Sequence, residues 1–297
     1  MGFLQSTMRS GRGRQWQLQW QTMSIRVLLI GAFLIMLMLL IALRSGTSAG
    51  QGFEPQTACT ASESVACAKL PVAVADALIH YVTTNITPQQ TPGEINIAGA
   101  VLARRSPCNM LVFGLGYDSL MWATLNHGGR TLFLEEDKDW IAQIAQKHPE
   151  LSVYHVFYPT ALTQAPDLLV HGKSPPCHPS ATLELKDSAC RLALTNLPPE
   201  VLNTQWDAIM IDAPRGYFPE APGRMTAIYT AAAMAKKRSN PGNTDIFVHD
   251  VDRPAEENFS NAFLCQENLV ASEGRLWHFS VPAQPEESQD FCSAVAV

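Results

Sequence analysis

Two strand-like segments in the second half of the chain end in side chains that can handle protons. The apolar run that begins at Trp206 delivers Asp212, and the run that begins at Asp245 delivers His249 and Asp250. Asp212 or His249 could remove a proton as a general base. Alternatively, Asp212 and Asp250 could bind a divalent cation that lowers the pKa of a bound hydroxyl. The residues alone leave both possibilities open.

A glycine turn earlier in the chain has features of a nucleotide-type ligand site. The apolar run Leu111-Val-Phe113 stops at Gly114 and Gly116. Because glycines lack Cβ, the backbone can approach a ligand closely there. We assign Asp118, two residues further on, to the same cofactor site.

Acidic residues follow the next strand-like segment. Thr131 to Leu134 ends in Glu135 and Glu136, and an acid about 20 residues after a glycine turn can bind a ribose diol. The third glycine of the dinucleotide fingerprint is absent, since position 119 is Ser. This favours S-adenosylmethionine over NAD, because the former has no pyrophosphate for the turn to wrap. A nicotinamide-dependent sugar enzyme is the alternative and would bind NAD(P).

Two arginines flank the Gly- and Pro-rich loop that follows Asp212. Arg215 and Arg224 could each contact an anionic substrate group through a bidentate pair of hydrogen bonds. We predict them as substrate-binding residues.

Strand-like and helical segments alternate from about residue 109 onwards. This alternation predicts an α/β fold with a mostly parallel sheet and helices on both faces. Ligands bind outside the carboxyl ends of such strands, so the glycine turn, the acids and the aspartates should meet at one edge. Between Pro159 and Pro199 the pattern is lost, which predicts a long insertion. The predicted strands are Met110–Phe113, Thr131–Leu134, Val153–Tyr158, Ala208–Ile211, Ile246–His249 and Leu276–Val281, and the predicted helices are Val72–Val82, Ser119–Leu125, Asp139–Lys147 and Met225–Lys237.

The composition is that of a protein with a large core. Hydrophobic residues make up 46% of the 297 residues and charged residues only 16%. The net charge of −6 gives no support for nucleic-acid binding, which requires a basic face.

The N-terminal region predicts a membrane anchor. Val27 to Leu43 is uncharged and would span roughly 26 Å as a helix. The preceding tail carries arginines and no acid, which places residues 1–26 in the cytosol and the remainder in the lumen. Residues 44–70 have the composition of a stem. A cleaved signal peptide is the alternative, but its apolar region is usually shorter.

Seven cysteines fit an oxidising compartment. None forms a C-x-x-C pair, so we expect disulfides with one thiol left over rather than a zinc ribbon. The suggested pairs are Cys177 with Cys190 and Cys265 with Cys292.

Several motifs, taken together and in this order, resemble the plant glucuronoxylan 4-O-methyltransferases, a polysaccharide-biosynthesis family. The similarity runs from about Cys59 or Leu70 to Phe291-Cys292, which is nearly all of the predicted lumenal part, whose domain is predicted to cover residues 71–297. Tyr117 stands where His is usual in the family, and Arg215 where Thr is usual. The motifs are Cys108 to Trp122, Leu125 to Asp137, Ile211-Asp-Ala-Pro214, Glu220 to Met225, Ile228 to Ala231 and Val248-His-Asp-Val251.

The resemblance implies a Rossmann-like class I methyltransferase fold behind one transmembrane helix, with the domain lumenal and the protein in the Golgi membrane. It implies methyl transfer from S-adenosylmethionine to the 4-hydroxyl of glucuronic acid on glucuronoxylan, with dependence on a divalent metal. The family also contains enzymes that act on arabinogalactan, and xylan-biosynthesis members with a degenerate donor motif. A non-catalytic partner of other Golgi xylan-synthesis proteins is therefore the competing interpretation.

Overall fold

The region that carries the predicted chemistry is described almost completely. A computed structural model describes residue 36 and residues 71–86, 88–182, 185–283 and 290–292. Apart from Met36, these residues belong to the unit Leu70–Val297. The predicted cytosolic tail, anchor and stem lie outside the described residues, with Met36 as the exception. Within the described part, no helix is long and apolar enough to cross a membrane.

A seven-stranded sheet with the order β3-β2-β1-β4-β5-β7-β6 forms the centre of this unit. Strands β1 to β5 run parallel to one another, whereas β7 is antiparallel to β5 and β6 is antiparallel to β7. The predicted α/β class with a mostly parallel sheet is confirmed. The strands are β1 Asn109–Phe113, β2 Arg130–Glu135, β3 Ser152–His155, β4 Ala208–Ile211, β5 Thr244–Val248, β6 Leu269–Glu273 and β7 Leu276–Val281.

Helices cover both faces of the sheet. Alternate residues of β1 point to opposite faces, so Leu111 and Phe113 join one buried apolar cluster while Met110 and Val112 join the other. The helices are α1 Val72–Thr83, α2 Pro92–Arg105, α3 Ser119–Leu125, α4 Lys138–Lys147, α5 Ala165–His171, α6 Pro199–Asn203, α7 Met225–Lys236 and α8 Pro254–Phe263.

The predicted elements differ from the observed ones mainly at ends and edges. The predicted third strand was too long, since β3 ends at His155 and not at Tyr158, and β5 ends one residue before His249. The edge strand β6 was not predicted, because most of its residues are partly or fully exposed and show little apolar alternation. The helices α2, α5, α6 and α8 were also missed.

Both suggested disulfides are present. Cys177 is bonded to Cys190, and Cys265 is bonded to Cys292. The first lies in the predicted insertion, which holds α5 and several short 3-10 turns. Among the described cysteines, Cys108 carries a free thiol.

The strand order reverses between β1 and β4. From β1 the chain first builds outwards through β2 and β3, and then returns to place β4 on the other side of β1. The loops that follow β1 and β4 therefore diverge, which opens a crevice at the carboxyl edge of the sheet. The fold thus places the glycine turn next to the loop that begins with Asp212.

Candidate active site

A cavity of about 560 Å³ lies at this carboxyl edge. Every site residue predicted from the sequence lines it, except His249. The predicted convergence of distant segments of the chain on one edge of the sheet is therefore observed.

The glycine turn lies tightly against the loop after β4. Gly114 has a φ of 121°, and its N–H donates to the carbonyl of Leu134 at 2.7 Å. A Cβ atom on Gly114 would lie 3.2 Å from the Cβ of Ala213, and one on Gly116 would lie 2.6 Å from a carboxylate oxygen of Asp118. Both glycines therefore keep the turn free of side-chain atoms beside the cavity.

Glu135 fixes the conformation of the turn. One carboxylate oxygen accepts the N–H of Leu115 at 3.0 Å, and the other accepts the N–H groups of Glu136 and Asp137 at 2.8 and 2.9 Å. Burial raises the pKa of Glu135, and the three donors act in the opposite direction. Much of its hydrogen-bonding capacity is thus directed to the backbone.

Asp118 is a carboxylate held at the cavity wall. It accepts the indole N–H of Trp122 at 2.8 Å. Burial, together with the negative charge of Asp212, raises the pKa of Asp118 to about 6. A cationic ligand beside this side chain would favour its ionised form.

Asp212 and His249 form a hydrogen-bonded pair. Nδ1 of His249 lies 2.9 Å from Oδ1 of Asp212. Burial raises the pKa of Asp212, but the hydrogen bond from His249 and the charge of Arg224 outweigh it and hold the pKa at about 2. Because an ionised carboxylate only accepts hydrogen bonds, Nδ1 must carry the hydrogen. His249 is only 1% exposed and does not line the cavity. It therefore contacts Asp212 from the side that faces the protein interior.

Arg224 joins the ends of β4 and β5. Its Nη2 atom lies 3.1 Å from Oδ1 of Asp212 and 2.7 Å from Oδ2 of Asp250, and it also donates to the carbonyl of Asp212. Its Nη1 atom donates to the carbonyl of His249 at 2.5 Å. Asp250 has a φ of 61° and receives two further arginines, Arg253 and Arg275. The charge of Asp250 is therefore fully matched by cations.

Asp212, His249 and Asp250 also form a group that could be tested for metal binding. One ligand atom of each lies within 4.8 Å of the others. However, the guanidinium of Arg224 already lies between the two carboxylates. A divalent cation at this point would repel that guanidinium and have to displace it. As these side chains are arranged, they do not fit a resident metal ion.

Cationic and aromatic side chains line the open side of the cavity. Arg215 donates from Nε and from its backbone N–H to one oxygen of Glu136 at 2.9 and 3.1 Å. The terminal nitrogens of Arg215 have no hydrogen-bond partner among the described residues. Arg253 and Tyr217 also line the cavity, and Tyr217 is 70% exposed. This side can therefore receive an anionic, partly apolar ligand.

The IRX15/IRX15L/GXM family model matches residues 93–279, well over half of the chain. The chain belongs to the IRX15/IRX15L/GXM family. The resemblance deduced from the motifs is thereby confirmed. Glucuronoxylan 4-O-methyltransferase 1 of Arabidopsis thaliana is 49% identical over 277 residues, which cover 92% of this chain and 98% of that protein.

A second relative, arabinogalactan O-methyltransferase 1 of Arabidopsis thaliana, is 50% identical over 69% of this chain and 72% of its own length. Among solved structures, an O-methyltransferase from Bacillus cereus in complex with SAH aligns with 74% of this chain and 94% of its own. Its identity is 14% and its TM-score 0.39, a likeness too distant to support a functional conclusion.

The sequence did not reveal several residues in and around this cavity, among them Tyr217, Arg253 and Gln90. Arg253 follows β5 in the same loop as Asp250, so its position near the strand end was a usable signal. Gln90, which donates to Oδ2 of Asp212 at 3.1 Å, lies 122 residues earlier in the chain. No local pattern around Gln90 indicates that contact.

Proposed function

We propose that this protein transfers a methyl group from S-adenosylmethionine to the 4-hydroxyl of glucuronic acid side chains on cell-wall glucuronoxylan. The proposal rests mainly on one observation: in this family member, a single cavity is lined by two different sets of side chains. One half is lined by the glycine turn and the acids after β2, and the other by Asp212 and the arginine-rich rim.

The donor half has the shape and charge that S-adenosylmethionine requires. Gly114 and Gly116 keep side-chain atoms away from the turn, and Asp118 supplies a partly buried carboxylate for a cationic ligand. Glu135 is largely occupied by backbone donors, whereas Oε2 of Glu136 accepts no hydrogen bond from the described residues. We therefore assign the ribose hydroxyls to Glu136 and the shape of the turn to Glu135.

Asp212 is the residue that faces the acceptor hydroxyl. When bound, S-adenosylmethionine supplies an electrophilic methyl group, so the main task of the protein is alignment of the reacting atoms. Asp212 accepts a hydrogen bond from the acceptor hydroxyl and takes its proton as the oxygen–carbon bond forms and the carbon–sulfur bond breaks. With a pKa of about 2, Asp212 is a weak base that acts late, once the hydroxyl oxygen has begun to lose electron density.

His249, Arg224 and Asp250 support Asp212 from the protein side. His249 and Arg224 both donate to Oδ1 of Asp212, and Asp250 neutralises part of the charge of Arg224. Because its donors are already directed at protein acceptors, we assign Arg224 a positioning role. We therefore give the positioning role priority over the substrate contact that the sequence predicted for Arg224.

Arg215 and Arg253 are the cations that a uronate carboxylate would meet. Both line the cavity, and the terminal nitrogens of Arg215, which donate to none of the described residues, could form the two parallel hydrogen bonds that a carboxylate accepts. Tyr217 offers an exposed aromatic face to the apolar side of a sugar ring. This combination fits an acidic polysaccharide.

Two finer features of this proposal concern the metal and the acceptor. The reaction above involves no metal, because Arg224 occupies the position between the carboxylates. Glucuronoxylan is chosen because a relative that covers 92% of this chain and 98% of its own length carries that name. Arabinogalactan is the second candidate, since relatives with that name are 50% and 52% identical to this chain.

The proposed location is the Golgi membrane, with residues 27–43 as a single type II anchor and the catalytic unit in the lumen. The two disulfides support an oxidising compartment. Other xylan-synthesis proteins of the Golgi are candidate partners.

Methyl transfer by the purified protein tests this proposal. Glucuronoxylan and arabinogalactan are offered in parallel with labelled S-adenosylmethionine, each with and without a chelator. Preferential labelling of glucuronoxylan supports the proposed acceptor, and labelling of arabinogalactan alone would replace it. Loss of activity with the chelator, restored by an added divalent cation, would reinstate the predicted metal site. A folded protein that does not bind S-adenosylmethionine in calorimetry would favour the non-catalytic partner.

A further inference from the structure

Residues 71–86 and 88–91, here called the N-terminal arm, precede the region that the family model matches and yet contact both halves of the cavity. The arm contains α1 and the turn that leads into α2. Its sequence shows no feature of a ligand site. Two of its side chains, Tyr81 and Gln90, nevertheless form hydrogen bonds to the candidate active site.

Tyr81 fixes the end of the glycine turn. Its hydroxyl donates to the carbonyl of Tyr117 at 2.8 Å and accepts the N–H of Met121 at 3.1 Å. Met121 lies in the first turn of α3, where backbone N–H groups have no partner within the helix. A single hydroxyl thus joins the turn to the start of the helix that follows it.

Gln90 fixes the second oxygen of Asp212. Its Nε2 atom lies 3.1 Å from Oδ2, and the side chain is only 3% exposed. The orientation of the amide is determined by chemistry, because an ionised carboxylate cannot donate. The next residue, Thr91, caps α2 in a capping box with Glu94, which holds the backbone beside Gln90 in place.

The burial of Gln90 is not explained by stability alone. Its Oε1 atom is buried and has no hydrogen-bond partner among the described residues. A buried acceptor without a donor costs free energy. The hydrogen bond to Asp212 is therefore the interaction that gives this buried amide a reason to be there.

We propose that Gln90 and Tyr81 are positioning residues, and that the N-terminal arm is a part of the active site. The inference rests on the proposed function. His249 and Arg224 hold one oxygen of Asp212, and Gln90 holds the other, so the carboxylate cannot rotate away from the acceptor hydroxyl. Tyr81 acts on the donor half instead, through the backbone of the glycine turn.

The two residues should affect different kinetic constants. In Gln90→Met, which keeps the length of the side chain but has no donor, kcat is expected to fall at least tenfold with the dissociation constant for S-adenosylmethionine unchanged. In Tyr81→Phe, that dissociation constant is expected to rise roughly three- to tenfold, the effect of one or two lost hydrogen bonds, with kcat at saturating donor close to wild type. A residue that only stabilises the fold would not produce this split.

Matched controls lose similar contacts elsewhere. Gln205→Met removes a glutamine that hydrogen-bonds Ser239 and Asn240 before β4 begins, and Tyr154→Phe removes a hydroxyl that donates to Glu200. Both controls are expected to keep wild-type kcat and donor affinity. Thermal unfolding is measured for every variant to test whether it is folded. If Gln90→Met does not fold, it is replaced by Gln90→Asn, whose amide is too short to reach Oδ2 of Asp212.

The outcomes separate this inference from the proposed function. A wild-type protein that transfers no methyl group would overturn the proposed function. An active wild type would leave that function intact. If Gln90→Met then kept wild-type kcat, or if Tyr81→Phe and Gln90→Met changed the same constant, the positioning roles would be wrong.

Discussion

One guanidinium nitrogen of Arg224 lies 2.7 Å from a carboxylate oxygen of Asp250, and both side chains are almost fully buried. The same nitrogen is 3.1 Å from Asp212. A single cation therefore holds together the ends of two neighbouring strands, β4 and β5. The position of the acceptor-side carboxylate depends on this contact.

Removal of Arg224 should destabilise the protein strongly. Arg224→Met removes the buried guanidinium that Asp212 and Asp250 share. Arg253 and Arg275 still contact Asp250, but breaking a buried ion pair costs about 3–5 kcal/mol. We expect that decrease in the free energy of unfolding in urea, with loss of methyl transfer. The control is Arg130→Met, which breaks an exposed pair with Glu200 and should cost no more than about 1 kcal/mol. Equal effects of the two substitutions would contradict the structural role of Arg224.

Binding of S-adenosylmethionine should depend on pH through Asp118. The folded pKa of about 6 lies above the ordinary value of 3.8, so the carboxyl is mostly protonated at pH 5 and mostly ionised at pH 7. A cationic donor favours the ionised form, and its affinity should rise up to about tenfold over this range. Calorimetry at both pH values measures this change.

The matched variant for that experiment is Asp118→Asn, which cannot ionise. Its donor affinity should be weak and nearly constant between pH 5 and pH 7. The ionisation of Asp118 also changes the free energy of unfolding with pH. Because the folded pKa is raised, the contribution of Asp118 is favourable below about pH 4 and is lost as the pH rises through 6. Asp118→Asn should therefore be more stable than wild type at pH 7. A variant that kept the pH-dependent affinity would exclude Asp118 as its source.

A side chain at Gly114 should abolish donor binding. Gly114→Ala would strain a residue with a φ of 121° and bring its Cβ against Ala213. Gly242→Ala is the matched control, because Gly242 also has a positive φ, 97°, but nothing lies within 4 Å of its added Cβ. Both variants place alanine at a positive φ, so a difference in the dissociation constant for S-adenosylmethionine shows that the loss depends on the position of Gly114 in the turn. Equal affinities would show that the turn does not form the donor site.

The two disulfides should contribute unequally to stability. The loop closed by Cys265 and Cys292 spans 27 residues, against 13 for Cys177 and Cys190. Loop entropy predicts about 3.5 and about 3 kcal/mol respectively. Urea unfolding of the two paired Cys→Ser variants measures this, with the C-terminal pair expected to cost slightly more. A C-terminal pair whose removal costs nothing would contradict the loop-entropy prediction.

The sequence was sufficient for those parts of the fold and site that depend on local patterns. Continuous apolar runs located β1, β4 and β7, and their carboxyl ends correctly indicated where Gly114, Asp212 and Asp250 meet. The edge strand β6 was missed because its residues are largely exposed. The contact between Gln90 and Asp212 was also missed, because it depends on how separate helices pack and not on any local spacing. Likewise, the sequence showed that Arg224 lies beside the site but not that its donors are occupied by buried acceptors.

The most direct test compares methyl transfer to glucuronoxylan oligosaccharides by the wild type and by Asp212→Asn, with the methylated position determined in the product. We predict methylation at O4 of glucuronic acid by the wild type. For Asp212→Asn we predict a kcat reduced on the order of a hundredfold, with the affinity for S-adenosylmethionine within about twofold of wild type. An Asp212→Asn protein that methylates the same position at the wild-type rate would contradict the account.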